Sequence, residues 1–177
     1  TESVSDPAET KDPADTSEKE TGGEPEVQAP PVGTKVGNTC PAMDITLFKD
    51  KGTFNLNDMK GKVVVLNFWY TTCTPCLAEL PYFNQVATDY QDDDVVVLAL
   101  HIDMPNVNVD SWIDKNYPDS DMLFGWDAGN GYTNTFGFQA FPCTVVIDEN
   151  GVITDKFEGG LTHDELTQAV EKALAAS

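Results

Sequence analysis

Cys73 and Cys76 are the residues of this chain best suited to chemistry, separated only by Thr74 and Pro75. They follow an apolar run, Val63 to Tyr70, and open an amphipathic stretch from Leu77 to Tyr90. Two thiols at a strand-to-helix junction can cycle between dithiol and disulfide. A helix N-terminus offers unpaired N–H groups and the positive end of its dipole, so the first thiol loses its proton more easily. The thiolate is the form that attacks. Cys73 is the expected nucleophile, exposed at the helix start, and Cys76 the resolving thiol one turn in. A purely structural bridge is the bland alternative, but structural cysteines are rarely set in a helix's first turn, where thiol pKa falls. The spacing also serves as half of a zinc site, which would want another close Cys or His pair. Cys40 and Cys143 stand alone, and His101 and His163 are the only histidines. Both histidines read as loop or surface residues without a role, and no metal site or cofactor is expected.

The elements that must hold the pair follow from periodicity. Ile45–Phe48 and Thr53–Leu56 alternate around Lys49-Asp50-Lys51-Gly52 and predict a hairpin. Val63–Tyr70 and Val95–Leu100 are apolar runs expected of strands buried on both faces. Helices are predicted over 75–90, 110–116, 131–136 and 163–175. Pro75 is tolerated in the first turn of its helix, Pro81 should kink it, and Thr162 with Glu165 forms a capping box. Thr144–Asp148 and Val152–Phe157 complete the strands around the turn Glu149-Asn150-Gly151. Strands alternating with helices imply a layered α/β sheet. Phe141-Pro142 precedes the third strand, and with the dithiol it suggests a cis peptide whose loop offers backbone to an extended substrate. Trp69, Trp112 and Trp126 read as core residues.

Composition limits the partners. The chain has 30 acidic residues against 10 lysines and no arginine, a formal net charge of −20. That argues against nucleic acid or an anionic membrane surface. Residues 1–34 carry nine acids against Lys11 and Lys19, and Val4, Val27 and Val32 are their only large apolar residues. Such a segment is expected to be disordered and extended, a linker or tether ahead of one domain over 35–177. No stretch is long enough to span a membrane, and no signal peptide is present.

Several ordered motifs resemble the TlpA/ResA family of thioredoxin-like extracytoplasmic thiol–disulfide oxidoreductases. They are Val36-Gly37, Cys40-Pro41, Gly61–Trp69, Cys73-x-x-Cys76, Glu79-Leu80-Pro81, and Phe141-Pro142 with Val146–Gly151. The resemblance covers about residues 36–175. It implies a thioredoxin-like central sheet with flanking helices, an N-terminal β-hairpin and a helical insertion between the central strands. It also implies a monomer tethered outside the cytoplasmic membrane by a lipid or transmembrane anchor. Such a protein reduces disulfide-containing client proteins, among them apocytochrome c during haem attachment, and is recharged by an upstream membrane thiol donor.

By the same resemblance Glu79 and Pro142 join Cys73 and Cys76 in catalysis, and Trp69, Thr72, Pro75 and Phe141 face the client. Glu79 lies three residues beyond Cys76, where a partly buried carboxylate would have a raised pKa and could take the proton of Cys76. Two departures stand out. Thr72 occupies a position the family usually gives to Trp, and Cys143 one it gives to Thr. Cys40 and Cys143 are open to three readings: a structural disulfide, a third redox thiol at Cys143, or two buried free thiols. The bridge is favoured, because both are cysteines where the family has none, and closing so long a loop stabilises by roughly 4 kcal/mol in the entropic model. It would also imply an oxidising compartment. A copper- or zinc-delivery module using the same cysteines is one competing function. A thiol peroxidase is another, weakened because Tyr70 stands where its Thr belongs and the chain lacks Arg.

Overall fold

The computed structural model describes residues 29–176. Most of the acidic leader expected over 1–34 lies outside the described residues. Its last part is paired: Val32 bridges Thr39, whose N–H donates to the Pro31 carbonyl at 3.0 Å.

Seven strands form one sheet in the order β2-β1-β5-β4-β3-β6-β7. The hairpin is β1 (Asp44–Leu47) with β2 (Thr53–Asn55), antiparallel as the alternation predicts. At the centre, β3 (Val63–Trp69) runs parallel to β4 (Val95–Ile102) in seven residue pairs, from Val63↔Val95 to Trp69↔His101. Beyond β3 lie β6 (Cys143–Ile147) and β7 (Ile153–Glu158), both antiparallel to their inner neighbours. Helices α1 (Thr74–Asp89), α2 (Val109–Asn116) and α4 (His163–Leu174) cover one face with Phe83, Ile113 and Leu166. Helix α3 (Gly131–Phe136) and the 3-10 turn Leu56–Met59 cover the other, packing Phe136 and Leu56 against Phe68 and Leu66.

Local sequence explains the elements that matter for the site. Every residue of β3 is buried, as its apolar run requires. In α1 the buried residues Cys76, Glu79, Leu80, Phe83, Val86 and Ala87 recur at three- and four-residue steps and turn one face to the sheet. Pro81 lies inside that helix and leaves the Leu77 carbonyl without an N–H partner, yet the helix continues to Asp89. Helix α4 opens on the reciprocal capping box of Thr162 and Glu165.

One strand was not read from the sequence. Strand β5 (Leu123–Asp127) lies between β4 and β1 and joins the hairpin to the parallel sheet. Gly125 interrupts its apolar pattern, and packing explains the glycine. A Cβ there would sit 2.5 Å from Ile45 Cγ2 and 3.2 Å from Leu100 Cδ2. The hairpin can approach only because that carbon is missing. Gly125→Ala is expected to destabilise the fold by about 1–3 kcal/mol through overpacking. A urea midpoint equal to that of the wild type would show the contact to be loose.

Candidate active site

The chain leaves β3 at Trp69, crosses Tyr70–Thr72 and enters α1 at Cys73. Cys73 is the N-cap, with φ −86° and ψ 98°, and its Sγ accepts the Cys76 N–H at 3.2 Å. A helix-start N–H therefore points at this sulfur, the arrangement that stabilises a thiolate. Cys73 and Cys76 are joined as a disulfide with Cα atoms 5.2 Å apart. The expectation of an exposed Cys73 needs correction. Only 3% of it is exposed against 0% of Cys76, because both pack into the core beneath α1 with Trp69 and Leu80. Thr72, Thr74 and Pro75 form the exposed rim.

Glu79 is buried, one turn beyond Cys76. Its Oε1 accepts from Asn67 Nδ2 and its Oε2 from the Leu161 N–H, each at 2.8 Å. Burial pushes its pKa up to about 7, and these two donors hold it from rising further. Asn67 stands in the middle of β3 on the α1 side, and its Oδ1 has no partner. A turn of that amide would present an acceptor to protonated Glu79, so both states of the carboxyl can be hydrogen-bonded. Asn67 and Leu161 were not singled out from sequence. A polar residue inside a fully apolar strand run was the available signal for Asn67.

The Phe141–Pro142 peptide is cis. Pro142 is buried, and its carbonyl accepts the Gly159 N–H at 2.8 Å. Phe141 is half-buried and its ring meets Tyr70 edge-on at 5.8 Å. This contact ties the proline loop to the segment just ahead of Cys73.

Three readings from sequence are corrected here. Trp69 is 0% exposed and cannot touch a client. It supports the site from below, in ring contact with Trp112 at 4.8 Å and His101 at 4.9 Å. Trp126, read as core, is 41% exposed, because it lines an open cavity with Asn108 and Asp110 at the start of α2. His101 is neither loop nor surface: it is the penultimate residue of β4 with 2% exposure, and its Nε2 accepts the Thr71 N–H at 3.2 Å. His163 is half-buried in the first turn of α4, its ring edge-on to Tyr82.

The Cys40–Cys143 bridge is not formed; both are free, buried thiols. Cys40 donates its N–H to the Gly151 carbonyl, beyond the C-terminal end of β6, whereas Cys143 is the first residue of that strand. Four strand steps of about 3.3 Å separate the two ends, well beyond the roughly 7 Å Cα limit for a disulfide. The third-thiol reading fails on facing. Cys143 lies with Phe68 and Phe136 on the sheet face opposite α1, and its Sγ contacts the Ala140 carbonyl. Burial pushes both thiols up to about 12. Alkylation of the oxidised protein unfolded without reductant should therefore modify Cys40 and Cys143 and leave Cys73 and Cys76 bonded. A mass with no alkylated cysteine would restore the bridge.

The comparisons with known proteins agree with this geometry. The Redoxin family model matches residues 35–174. The thiol-disulfide oxidoreductase ResA of Geobacillus thermodenitrificans is 33% identical over 137 residues, 77% of this chain and 76% of that protein. Among solved structures, a putative thiol:disulfide interchange protein DsbE from Chlorobium tepidum superposes with a TM-score of 0.71 at 24% identity, over 80% of this chain and 99% of that one. The pneumococcal exposed lipoprotein thioredoxin of Streptococcus pneumoniae gives 0.66 at 25% identity, over 75% and 99%. With a helix-capping Cys73 disulfide-bonded to Cys76 on a thioredoxin-like sheet, the chain belongs to the Redoxin family and is a thiol–disulfide oxidoreductase of the ResA type.

Proposed function

We propose that this oxidoreductase works outside the cytoplasmic membrane as a reductant of client-protein disulfides. The observation that carries the exchange chemistry is Glu79, a buried carboxyl poised near neutrality one turn behind the inner cysteine, and the reducing direction follows the similarity to ResA. In the reduced protein the Cys73 thiolate attacks one sulfur of the client disulfide, forming the Cys73–client mixed disulfide. The other client sulfur leaves as a thiolate and takes a proton. Cys76 gives its proton to ionised Glu79, and its thiolate attacks Cys73 Sγ. The Cys73–Cys76 disulfide forms and the second client sulfur departs as a thiolate, to which Glu79 returns the proton through solvent. The client gains two electrons and two protons; an upstream membrane thiol donor restores them.

The client would lie against the exposed rim of Thr72 and Pro75 and against the proline loop. There the Pro142 carbonyl is already bonded to Gly159, so Phe141 is the residue whose backbone can pair with an extended segment. Thr72 gives this rim a small polar residue beside the dithiol. The acidic residues 1–34 serve as the tether ahead of the domain, a reading supported by the exposed lipoprotein among the structural relatives. Among the described residues no helix is long and apolar enough to cross a membrane. Apocytochrome c, with its paired haem-attachment cysteines, is the client class we assign.

Two experiments test this. Cys76→Ser should trap a covalent Cys73 adduct with a disulfide peptide, whereas Cys73→Ser should trap none; adducts through Cys76 would reverse the roles. Glu79→Gln keeps an acceptor for Leu161 and a donor for a turned Asn67, so the fold should survive. In the wild type the resolving step should speed up as pH rises through about 7, where Glu79 becomes ionised, and the variant should lose that limb. Stability moves the other way. The folded pKa is raised, so the contribution of Glu79 is full below its unfolded pKa of about 4.5 and is lost as pH rises through about 7. Urea titrations at pH 5 and pH 8 should show Glu79→Gln flattening that loss. Parallel pH–rate and pH–stability curves in the two proteins would reduce Glu79 to a structural group.

A further inference from the structure

We propose that His101 is a positioning residue of the dithiol, holding through Nε2 the loop that delivers Cys73 to the start of α1. Trp69, the last residue of β3, His101, the penultimate residue of β4, and Trp126, the penultimate residue of β5, stand in one register row. His101 is the middle of that row and sits directly beside the departure point of the loop. Beside the ring contact of Tyr70 with Phe141, two backbone N–H groups hold the crossing from β3 to α1. The Cys73 N–H closes a turn onto the Tyr70 carbonyl at 3.0 Å, and the Thr71 N–H reaches His101 Nε2 at 3.2 Å. The first bond shapes the turn; the second ties it to the sheet.

The ring can serve in only one protonation state. To accept from Thr71, Nε2 must be bare, so a neutral ring carries its proton on Nδ1. Edge-on contacts with Trp69 at 4.9 Å and Phe48 at 6.3 Å hold the ring plane. A second proton would set two donors face to face and leave the Thr71 N–H without its acceptor. Burial lowers the pKa of the ring and favours the neutral form. The charged groups on this side are Asp103, which pulls the value back up, and Asp110 at the start of α2, across the cavity that His101 helps to line. Trp69 and Phe48 bring no charge. Accordingly the tie is complete at neutral pH and is lost in acid, below the ordinary histidine range.

The consequence for the reaction is geometric. Cys73 Sγ receives the Cys76 N–H only while Cys73 holds its extended capping conformation, and that conformation is set two residues after Thr71. Releasing Thr71 lets the cap drift and weakens the N–H that favours the thiolate.

The test uses the whole chain with two replacements. His101→Phe keeps a planar ring against Trp69 and removes the acceptor; His101→Gln keeps an acceptor that does not titrate. Exchange of the reduced protein with a small aromatic disulfide at neutral pH is expected to slow in His101→Phe on the order of five-fold, the worth of one hydrogen bond, and to recover in His101→Gln. Hydrogen exchange at the Thr71 amide should quicken in His101→Phe and not in His101→Gln. Wild-type rates in His101→Phe, or equal slowing in both variants, would overturn the proposal. Should His101→Phe not fold, the wild type decides: the Thr71 amide resonance and the His101 ring resonances should titrate with one midpoint, and two separate midpoints overturn it. The inference rests on the oxidoreductase reading only for its rate readout. The Thr71 amide reports on the tie whatever the client and whichever way electrons flow.

Discussion

Strand β3 is buried along all seven of its residues, bonded to β4 on one side and to β6 on the other and covered by helices above and below. It is the longest strand buried at every residue among those described, and the dithiol hangs from its end. Because side chains alternate along a strand, this burial divides β3 into two rows. Val64, Leu66 and Phe68 go to the α3 side, and Val63, Val65, Asn67 and Trp69 to the α1 side. The second row carries the only polar residue, and it meets Glu79. A shift of one residue in register would turn Asn67 away from α1 and leave the carboxyl buried with a single donor. The pairing of β3 with β4 thereby fixes the chemistry of the site as well as its position.

Asn67 and Glu79 are costly groups to bury, and the way they are satisfied shows what the site is built for. A structural carboxylate would gather enough donors to hold its pKa low. Glu79 has two donors, short of what full compensation requires, and its pKa rests near neutrality. The unpaired Asn67 oxygen is the counterpart of that shortfall, because it can serve the protonated carboxyl. Asp127, equally buried, accepts from the Tyr132 N–H, the Thr133 N–H and the Thr133 hydroxyl, three donors where Glu79 has two, and it anchors α3.

The sequence carried the dithiol junction, the hairpin, β3, β4 and the four helices, because each has a strong period or cap. It did not carry β5, where Gly125 breaks the alternation for the sake of a contact with Ile45 that is remote in sequence. His101 was misplaced for a similar reason. The apolar run stops at Leu100, and nothing local shows that β4 continues two residues further between Trp69 and Trp126. Trp126 erred the other way, since a large aromatic near a strand end is core only if a helix reaches over it. Cys40 and Cys143 invited pairing as two otherwise unexplained cysteines. Their separation depends on which end of β6 the N-terminal segment meets, and that is a matter of tertiary packing.

The four cysteines thus divide into one reactive pair and two thiols removed from the reaction. Burial pushes both thiols far above the ordinary range, and only the thiolate attacks a disulfide. Cys143 follows Pro142 directly, so sequence distance alone would make it a hazard to the mixed disulfide. Alternation removes the hazard: Thr144 faces Asn67 on the α1 side, and Cys143 faces Phe68 and Phe136 on the other. An even number of cysteines accordingly says nothing about the compartment here, since two of the four need no oxidant. The case for a site outside the cytoplasm rests instead on the resemblance to ResA and on the acidic leader, both independent of how Cys40 and Cys143 are packed.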